Sequence, residues 1–474
     1  MDILALDLGT SSVRGLVLDA DAVPRPGALA RRKVRLNVAG RAATVDGPTY
    51  LGHLVECLDE LAAGGHLRDV GLVATSGQWH SLLALDGAGE PMGPVLTWLD
   101  TRSEPPAGVT GPADEAAYHQ RTGTWWHRAY WSVRMPWLRE RTATPPARFV
   151  GLVEYVLGTL LEEAPMSVSQ ASGTGLLDLS ALSWDAEACA LAGARPGELP
   201  ELAPAGWRGR LRREHARRWP HLAGAAWAAP VGDGAASNVG SGCVDPGRAA
   251  VTVGTSAAVR LVQPAPAGQG LPPLPEGLWR YRVDHDHVLT GTAYSSGGNL
   301  FAWARRELRL PQGAELDAAL ARIPPGGGVA ADPRFGGDRA PGLAPAGSGA
   351  LRGLDLATDA VAIVAGLMAG VCRLIAADLG ELESIVDGPV EVVLGGGAMA
   401  ASAWWRESFA ASLAPRPVRY QPDPEIGAAG AARVALGRLD APVRLVHIVR
   451  TDEGPSPTPS GPRVLRPLPE HPLS

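Results

Sequence analysis

Short apolar runs separated by small polar residues open the chain. Residues 3–8 are predicted to form a buried strand, the Gly-Thr-Ser-Ser segment 9–12 a tight turn, and residues 13–18 the returning strand. Residues 49–62 place apolar side chains at helical spacing, and residues 70–75 and 81–85 predict further strands. Because helix and strand patterns alternate along the chain, the sequence predicts the α/β class.

The strand–turn–strand pattern occurs twice. Residues 4–14 read LALDLGTSSVR and residues 249–260 read AAVTVGTSAAVR, so that about half of the 474 residues separate Gly9 from Gly254. A chance match of two short segments is the alternative. The repeat predicts two related α/β domains, each opening with a hairpin whose turn faces a shared cleft.

Composition excludes several classes of protein. Lys33 is the only lysine and lies outside any phosphate-binding loop, which excludes protein kinases and P-loop NTPases. The net charge of −6 argues against a nucleic-acid-binding face. The four cysteines form no Cys-x-x-Cys pair, so neither a zinc knuckle nor a redox motif is expected.

We expect a cytoplasmic protein. No basic segment precedes the apolar residues at the start, so no signal peptide is predicted. Glycine and arginine interrupt the apolar run 360–377, which we take as too polar to span a membrane. The stretch 451–474 is rich in proline and poor in aliphatic residues, and we expect an extended or disordered tail.

The two Gly-Thr-Ser turns are candidate phosphate sites. Such a turn exposes backbone N–H groups and hydroxyls in a small space, which suits an anion, although an ordinary hairpin turn has the same composition. Asp7 precedes the first turn. Since a carboxylate repels a phosphate unless a cation intervenes, Asp7 is a candidate Mg²⁺ ligand, directly or through water. Capping of the turn is its alternative role.

Asp233 is a candidate general base. Gly232 and Gly234 flank it, which leaves its carboxylate unshielded and allows close backbone approach. A carboxylate at a domain junction can accept the proton of a substrate hydroxyl during phosphoryl transfer. Asp-Gly is also a common turn signal, so position alone leaves both interpretations open.

Clusters of polar and aromatic residues suit a polyol ligand, with core packing or surface charge as the alternative. They occur in residues 75–80, 97–102 and 125–131. The candidate sugar ligands in them are Gln78, Trp79, His80, Trp98, Asp100, Arg102, His127 and Tyr130. Residues 390–398 predict a strand followed by three glycines before a helix at 401–413, which lets backbone approach a planar or anionic ligand. The dinucleotide fingerprint is absent there.

Together these motifs resemble the FGGY family of carbohydrate kinases, within the actin-like and hexokinase-like ATPases. Residues 7–12 and 253–256 are similar to its two phosphate motifs, 232–240 to the segment of the catalytic base, 395–398 to the adenosine motif, and 337–341 to its G-[ED]-R-x-P loop. The likeness spans residues 1–439. Arg134 stands where the first family signature has Lys, and Ala365 where the second has Glu.

The resemblance implies two duplicated ribonuclease H-like ATPase domains around a central cleft, with ATP and Mg²⁺ as cofactors. It implies Asp233 as the base and Asp7 with Asp233 at the metal. The implied ATP contacts are Gly9, Thr10, Ser11, Ser12, Gly254, Thr255, Ser256, Gly298, Gly395, Gly396, Gly397 and Ala398. We expect an N-terminal domain at 1–230, a C-terminal domain at 231–445 and a Pro-rich tail at 446–474. A homodimer is a possible assembly, and no nucleic-acid or membrane partner is expected.

Gluconate is the favoured substrate. Residues 78–82, 97–103 and 122–131 are most similar to gluconate kinases, although xylulose kinases share much of the first two. A buried carboxylate needs a cationic or donor-rich partner. His80, Arg102, His127, Arg128 and Arg134 are the candidates for that role. A kinase for a neutral ketose or polyol is the alternative, and a sugar-sensing relative without kinase activity is the alternative of a different class.

Overall fold

The computed structural model describes residues 1–336 and 347–448. The loop at 337–341 and the tail from residue 449 onward lie outside the described residues, and so do the predictions made for them.

The first half of the chain contains fourteen strands and eight helices. The strands are β1 (Asp2–Leu8), β2 (Ser12–Leu18), β3 (Pro24–Lys33), β4 (Asn37–Ala39), β5 (Ala42–Val45), β6 (Val70–Gly77), β7 (Leu83–Leu85), β8 (Val95–Leu96), β9 (Arg148–Val150), β10 (Leu177–Asp178), β11 (Ser183–Trp184), β12 (Arg208–Gly209), β13 (Ala226–Ala228) and β14 (Val231–Gly232). The helices are α1 (Gly47–Ala63), α2 (Glu115–Thr122), α3 (Trp131–Arg139), α4 (Leu152–Leu160), α5 (Val168–Ser172), α6 (Ala186–Leu191), α7 (Arg213–Arg218) and α8 (Asp233–Gly240).

The described part of the second half contains nine strands and six helices. The strands are β15 (Arg248–Val253), β16 (Ala257–Pro264), β17 (Trp279–Arg282), β18 (His287–Tyr294), β19 (Ala330–Asp332), β20 (Ala350–Arg352), β21 (Glu391–Gly395), β22 (Val418–Tyr420) and β23 (Val446–His447). The helices are α9 (Gly298–Glu307), α10 (Ala314–Leu320), α11 (Ala360–Glu383), α12 (Gly397–Ala401), α13 (Ala403–Leu413) and α14 (Ile426–Leu436).

Each half builds one large sheet of the same design. The first has the order β3-β2-β1-β6-β13-β12, with β14 also beside β6, and the second has the order β17-β18-β16-β15-β21-β22-β23. In the first sheet β1 is antiparallel to β2 and parallel to β6. In the second, β15 is antiparallel to β16 and parallel to β21. The predicted α/β duplication is therefore confirmed, with β1–β2 corresponding to β15–β16.

Strand β1 is buried on both faces, which explains its nearly continuous apolar sequence. Alternate side chains point to opposite faces of a strand. Leu4, Leu6 and Leu8 share an apolar cluster with residues of α1, whereas Ile3 and Ala5 share another with residues of α8 and α14. Helix α14 of the second half thus packs on the first sheet.

Contacts between the halves include a helix crossing and a strand edge. Helices α8 and α14 touch through glycine, because a Cβ at Gly240 would overlap the carbonyl of Ile426 and a Cβ at Gly430 would overlap that of Ala236. The edge strand β17 also bonds to the first half. Its Arg280 N–H donates to the Gly123 carbonyl at 2.8 Å.

Helix α11 corrects one expectation from the sequence. It is long and apolar enough to cross a membrane by length and composition, so the prediction that this run is too polar is wrong. One arginine, Arg373, does not offset its apolar residues. A core helix meets the same criteria, and α11 packs inside the second half, where Val364, Ala365 and Ile375 are fully buried.

Candidate functional site

The first Gly-Thr-Ser turn is fixed from both sides. The Gly9 N–H donates to the Ser12 carbonyl at 3.1 Å, and the Tyr50 hydroxyl donates to the Gly9 carbonyl at 2.8 Å. Ser11 is exposed, whereas Ser12 begins β2 and is 2% exposed. The turn therefore offers Gly9, Thr10 and Ser11 to a ligand more readily than the side chain of Ser12.

Thr10 links this turn to the predicted sugar residues. Its hydroxyl accepts from the Trp98 indole N–H at 2.9 Å and donates to Oε1 of Gln78 at 3.3 Å. Gln78 is 1% exposed, and its Nε2 has no hydrogen-bond partner among the described residues. The structure thus brings a predicted phosphate residue together with two predicted sugar residues.

The second turn meets the glycine-rich segment of the second half. The Gly254 N–H donates to the Ser256 carbonyl at 2.9 Å, and the Gly298 N–H at the start of α9 donates to the Gly254 carbonyl at 2.8 Å. Gly396 packs so closely that a Cβ there would lie 2.5 Å from the Val253 carbonyl oxygen. The predicted ATP residues of the second half therefore form one group, with Thr255 and Gly397 exposed.

Carboxylates gather beside the first turn. Asp7 pairs with Arg14 at 2.9 Å, and Arg14 also pairs with Glu425 at 3.0 Å, next to α14. Burial raises the pKa of Asp7 to about 6, Arg14 opposes this rise, and Asp233 adds to it. Asp7 and Asp233 therefore share one electrostatic environment.

This pair of carboxylates fits a magnesium ion. Mg²⁺ is usually held by one or two carboxylates, with waters and substrate phosphates as its other ligands. The mutual repulsion of Asp7 and Asp233 is what a cation would relieve. Within residues 1–336 and 347–448, no group of three or more His, Cys, Asp or Glu side chains is placed to hold a metal ion. The waters and phosphates would therefore supply the other ligands.

Asp233 begins helix α8 and is exposed. Its Oδ1 accepts the N–H of Gly234 at 2.8 Å. The flanking glycines are explained by Trp79, since a Cβ at Gly232 would overlap the indole and one at Gly234 would lie 2.6 Å from its Cζ3. The indole N–H of Trp79 donates to Ser169, and the side chain is 6% exposed. Trp79 thus packs against the glycines on either side of Asp233 and does not offer a broad face to a ligand.

Arg134 organises the sugar-side loops through their backbone. It is fully buried and donates to the carbonyls of His80 at 2.6 Å, Asp100 at 2.7 Å and Arg128 at 3.0 Å. Burial lowers its pKa to about 10. Its expected place facing a substrate carboxylate is therefore wrong, because backbone carbonyls take its donors. His80, with a φ of 64°, is also held by the contact of its Nδ1 with the Gly173 carbonyl at 2.6 Å.

Asp100 and Arg102 form a pair that is satisfied within the fold. Their closest atoms are 2.6 Å apart, and Arg102 also lies over the Trp137 ring at 5.3 Å. Burial alone would raise the pKa of Asp100, but hydrogen bonds from Arg102 and from the Ala43 N–H hold it below its ordinary value. The positive charge of Arg102 is thus balanced by the carboxylate of Asp100.

His127 is a neutral donor rather than a cation. Burial lowers the pKa of His127 to about 4, and the charges of Arg128 and Arg134 act in the same direction. Arg128 itself lies 3.8 Å from Glu104. The cationic wall expected from the sequence therefore has little uncompensated charge in the first half.

The second half contributes aromatic residues that the sequence analysis missed. Trp279 and Tyr281 of β17 stack with ring centroids 4.4 Å apart, and Tyr281 lies 4.8 Å from Trp79. The hydroxyls of Tyr281 and Tyr130 are 2.8 Å apart, and the ring of His80 lies 5.4 Å from that of Tyr130. The alternating Trp-Arg-Tyr-Arg sequence of β17 was the available signal.

Comparison with known proteins identifies the class of enzyme as a carbohydrate kinase. The model of the N-terminal domain of the FGGY family of carbohydrate kinases matches residues 2–240, and that of the C-terminal domain matches residues 249–437. The chain therefore belongs to the FGGY family of carbohydrate kinases.

Named relatives carry different substrates in their names. A gluconokinase from Bacillus subtilis (strain 168) is 27% identical over 368 residues, covering 72% of this chain and 69% of that protein. A xylulose kinase from Streptomyces coelicolor is 29% identical over 462 residues, covering 92% and 88%. The solved ligand-bound xylulose kinase from Lactobacillus acidophilus shares the fold, with a TM-score of 0.82, 21% identity and coverage of 94% and 93%. The likeness therefore establishes a sugar kinase and leaves its sugar unresolved.

Proposed function

We propose that this kinase transfers the γ-phosphate of ATP to a primary hydroxyl of a sugar acid, with gluconate favoured and Asp233 as general base. The observation that supports this most is the position of Asp233. Its carboxylate shares the electrostatic environment of Asp7 on one side, and its flanking glycines rest on Trp79 of the aromatic cluster on the other. A base for this reaction must lie between metal-bound phosphate and sugar.

In the proposed mechanism, the carboxylate of Asp233 accepts the proton of the sugar hydroxyl as the hydroxyl oxygen attacks the γ-phosphorus of ATP. The bond from the γ-phosphorus to the β,γ-bridging oxygen breaks, and ADP leaves. The Gly234 N–H, at 2.8 Å from Oδ1, fixes the orientation of the carboxylate. Asp7 and Asp233 would hold Mg²⁺, which when bound neutralises charge on the transferred phosphoryl group. The backbone N–H groups of both turns and of the glycines around Gly396 cradle the phosphates of ATP.

On the sugar side, Gln78, His80, His127 and Tyr130 supply polar contacts, with Trp98, Asp100 and Arg102 shaping the wall. Similarity to gluconokinase favours the acid. A neutral ketose is the second candidate, because the xylulose kinase relative spans 92% of the chain. We further propose a cytoplasmic enzyme divided near residue 230, with a homodimer as its possible assembly.

The test is production of ADP with gluconate, xylulose, glycerol or no sugar, by wild type and by Asp233→Asn. We expect the fastest turnover with gluconate and a fall in kcat of roughly 10²–10⁴-fold in the variant, with ATP binding retained. Fast turnover of xylulose with none of gluconate would reject the acid. Near-normal kcat in the variant would remove Asp233 from the mechanism.

A further inference from the structure

Strand β16 carries one long charged side chain toward the first half of the chain. Side chains alternate along a strand. One set packs into the core of the second half, namely Ala257, Val259 and Leu261. The other set is Ala258, Arg260 and Val262, and Val262 joins the apolar cluster that contains Trp79 and Tyr281. Arg260 therefore lies between the second phosphate turn and the aromatic cluster.

Two glycines make room for Arg260. Gly291 stands opposite it on β18, and a Cβ there would lie 3.0 Å from its Cγ. A Cβ at Gly234 would lie 3.2 Å from its Nε. The guanidinium thus lies against the backbone of Gly234, next to Asp233. The indole of Trp79 is close to the same glycine.

The guanidinium has unmet hydrogen-bonding capacity. Its Nη1 is buried and has no hydrogen-bond partner among residues 1–336 and 347–448. Burial lowers the pKa of Arg260, and Asp233 is the acidic group that opposes this. Arginine remains charged in proteins, and a buried charged donor without an acceptor is costly. Such a group therefore indicates a ligand with a strong acceptor.

Three other arginines of the site already have acidic or carbonyl partners. Arg102 pairs with Asp100, and Arg14 is shared by Asp7 and Glu425. The donors of Arg134 go to backbone carbonyls. Arg260 is thus the better candidate for recognising a negatively charged substrate.

We propose that Arg260 binds the carboxylate of the sugar-acid substrate, and that it determines the preference for an acid over a neutral sugar. This inference rests on the proposed function. Ala258, on the same face, is nearer to the phosphate turn and is small. Two residues along a strand span about 6.6 Å, so Arg260 lies farther from the phosphate turn than Ala258 does, as the carboxylate end of a sugar acid must.

The experiment measures kcat and KM for gluconate, for the neutral hexitol glucitol and for ATP in wild type, Arg260→Met, Arg260→Lys and Arg102→Met. We expect Arg260→Met to raise the KM for gluconate by about 10- to 100-fold, with glucitol and ATP changed less than about 3-fold. Arg260→Lys should lie between wild type and Arg260→Met, because lysine keeps the charge and loses the paired donors. Arg102→Met is the matched control, and any change in its KM should be equal for gluconate and glucitol.

Other outcomes overturn the proposal. An equal fall in kcat for both substrates would place Arg260 at the transferred phosphoryl group, and an acid-selective loss only in Arg102→Met would assign the role to Arg102. If Arg260→Met does not fold, the ratio of KM values for gluconate and its amide in wild type and Arg260→Lys decides, and an unchanged ratio rejects the inference. A wild type inactive on acids instead rejects the proposed function, and with it this inference.

Discussion

The β1–β2 and β15–β16 hairpins have a similar backbone arrangement but carry different side chains. In each, a glycine N–H closes the turn by donating to a serine carbonyl, that of Ser12 in the first and that of Ser256 in the second. The second turn is therefore one residue shorter. Two residues before the turn glycine, the first hairpin has Asp7 and the second has Thr252. The partner opposite Asp7 is Arg14, whereas the partner opposite Thr252 is Ala258.

This difference teaches how a duplicated fold divides the work of one reaction. Backbone N–H groups provide an anion cradle whatever the side chains are, so both copies keep it. The side chains are then available for other tasks. We assign the first hairpin the charge beside the proposed Mg²⁺, and the second the recognition of the sugar through Arg260.

The largest effect should separate Asp7 from Thr252. We expect Asp7→Asn to lower kcat by roughly 10²-fold or more, because the proposed Mg²⁺ would lose a carboxylate ligand beside the phosphates. Thr252→Ala should remain within a few-fold of wild type. Mg²⁺ titrations of both variants measure this, and equal losses would contradict the division of roles.

The next effect concerns two adjacent glycines of the second half. A Cβ at Gly396 would lie 2.5 Å from the Val253 carbonyl oxygen, and its φ is 95°, whereas a Cβ at Gly397 would meet nothing within 4 Å. Gly396→Ala should therefore cost about 2 kcal/mol of stability and weaken ATP binding. Gly397→Ala should leave stability unchanged. Thermal melts with and without ATP compare them, and equal melting temperatures would show that the cradle adapts.

A pH dependence should belong to the first hairpin alone. Because the pKa of Asp7 is raised from 3.8 to about 6, its contribution to stability is complete below pH 3.8 and is lost as pH rises through about 6. Asp7→Asn should therefore gain stability relative to wild type between pH 4.5 and pH 8 in the absence of Mg²⁺ and ATP. Denaturant unfolding at the two pH values measures this, with Thr252→Ala as a control that does not titrate. A constant difference would contradict it.

The smallest effect should come from His127. As a neutral donor with a pKa of about 4, it can contribute one uncharged hydrogen bond to the substrate. His127→Ala should raise the KM for gluconate by about 3- to 10-fold, less than Arg260→Met does. Steady-state kinetics at pH 7.5 compare the two variants. A larger effect in His127→Ala would return recognition of the carboxylate to the first half.

Local patterns predicted the frame of the molecule well. The hairpins follow from apolar runs interrupted by Gly-Thr-Ser, and helix α1 from its helical periodicity, because neighbours in the chain determine these elements. The candidate phosphate segments are local in the same way. Each keeps its chemistry within a few consecutive residues.

The sugar side was harder to predict because its contacts join distant segments. Nothing near Arg134 indicates that its donors go to the carbonyls of His80 and Asp100, and nothing near Trp79 indicates that Tyr281 packs on it. The charge of an arginine is visible in a sequence, whereas its partner is not. For this reason the sequence did not reveal that Arg102 and Arg134 already have partners within the fold.

The glycine contact between α8 and α14 has a consequence for building hybrid enzymes. Gly240 and Gly430 each contact the backbone of the opposite helix, so the surfaces of the two helices fit each other closely. Both helices must therefore come from the same parent protein. A chimera that takes residues 233–240 from one parent and 426–436 from another would put unmatched surfaces at this crossing. Exchange of sugar preference between relatives should therefore transplant both helices as one unit.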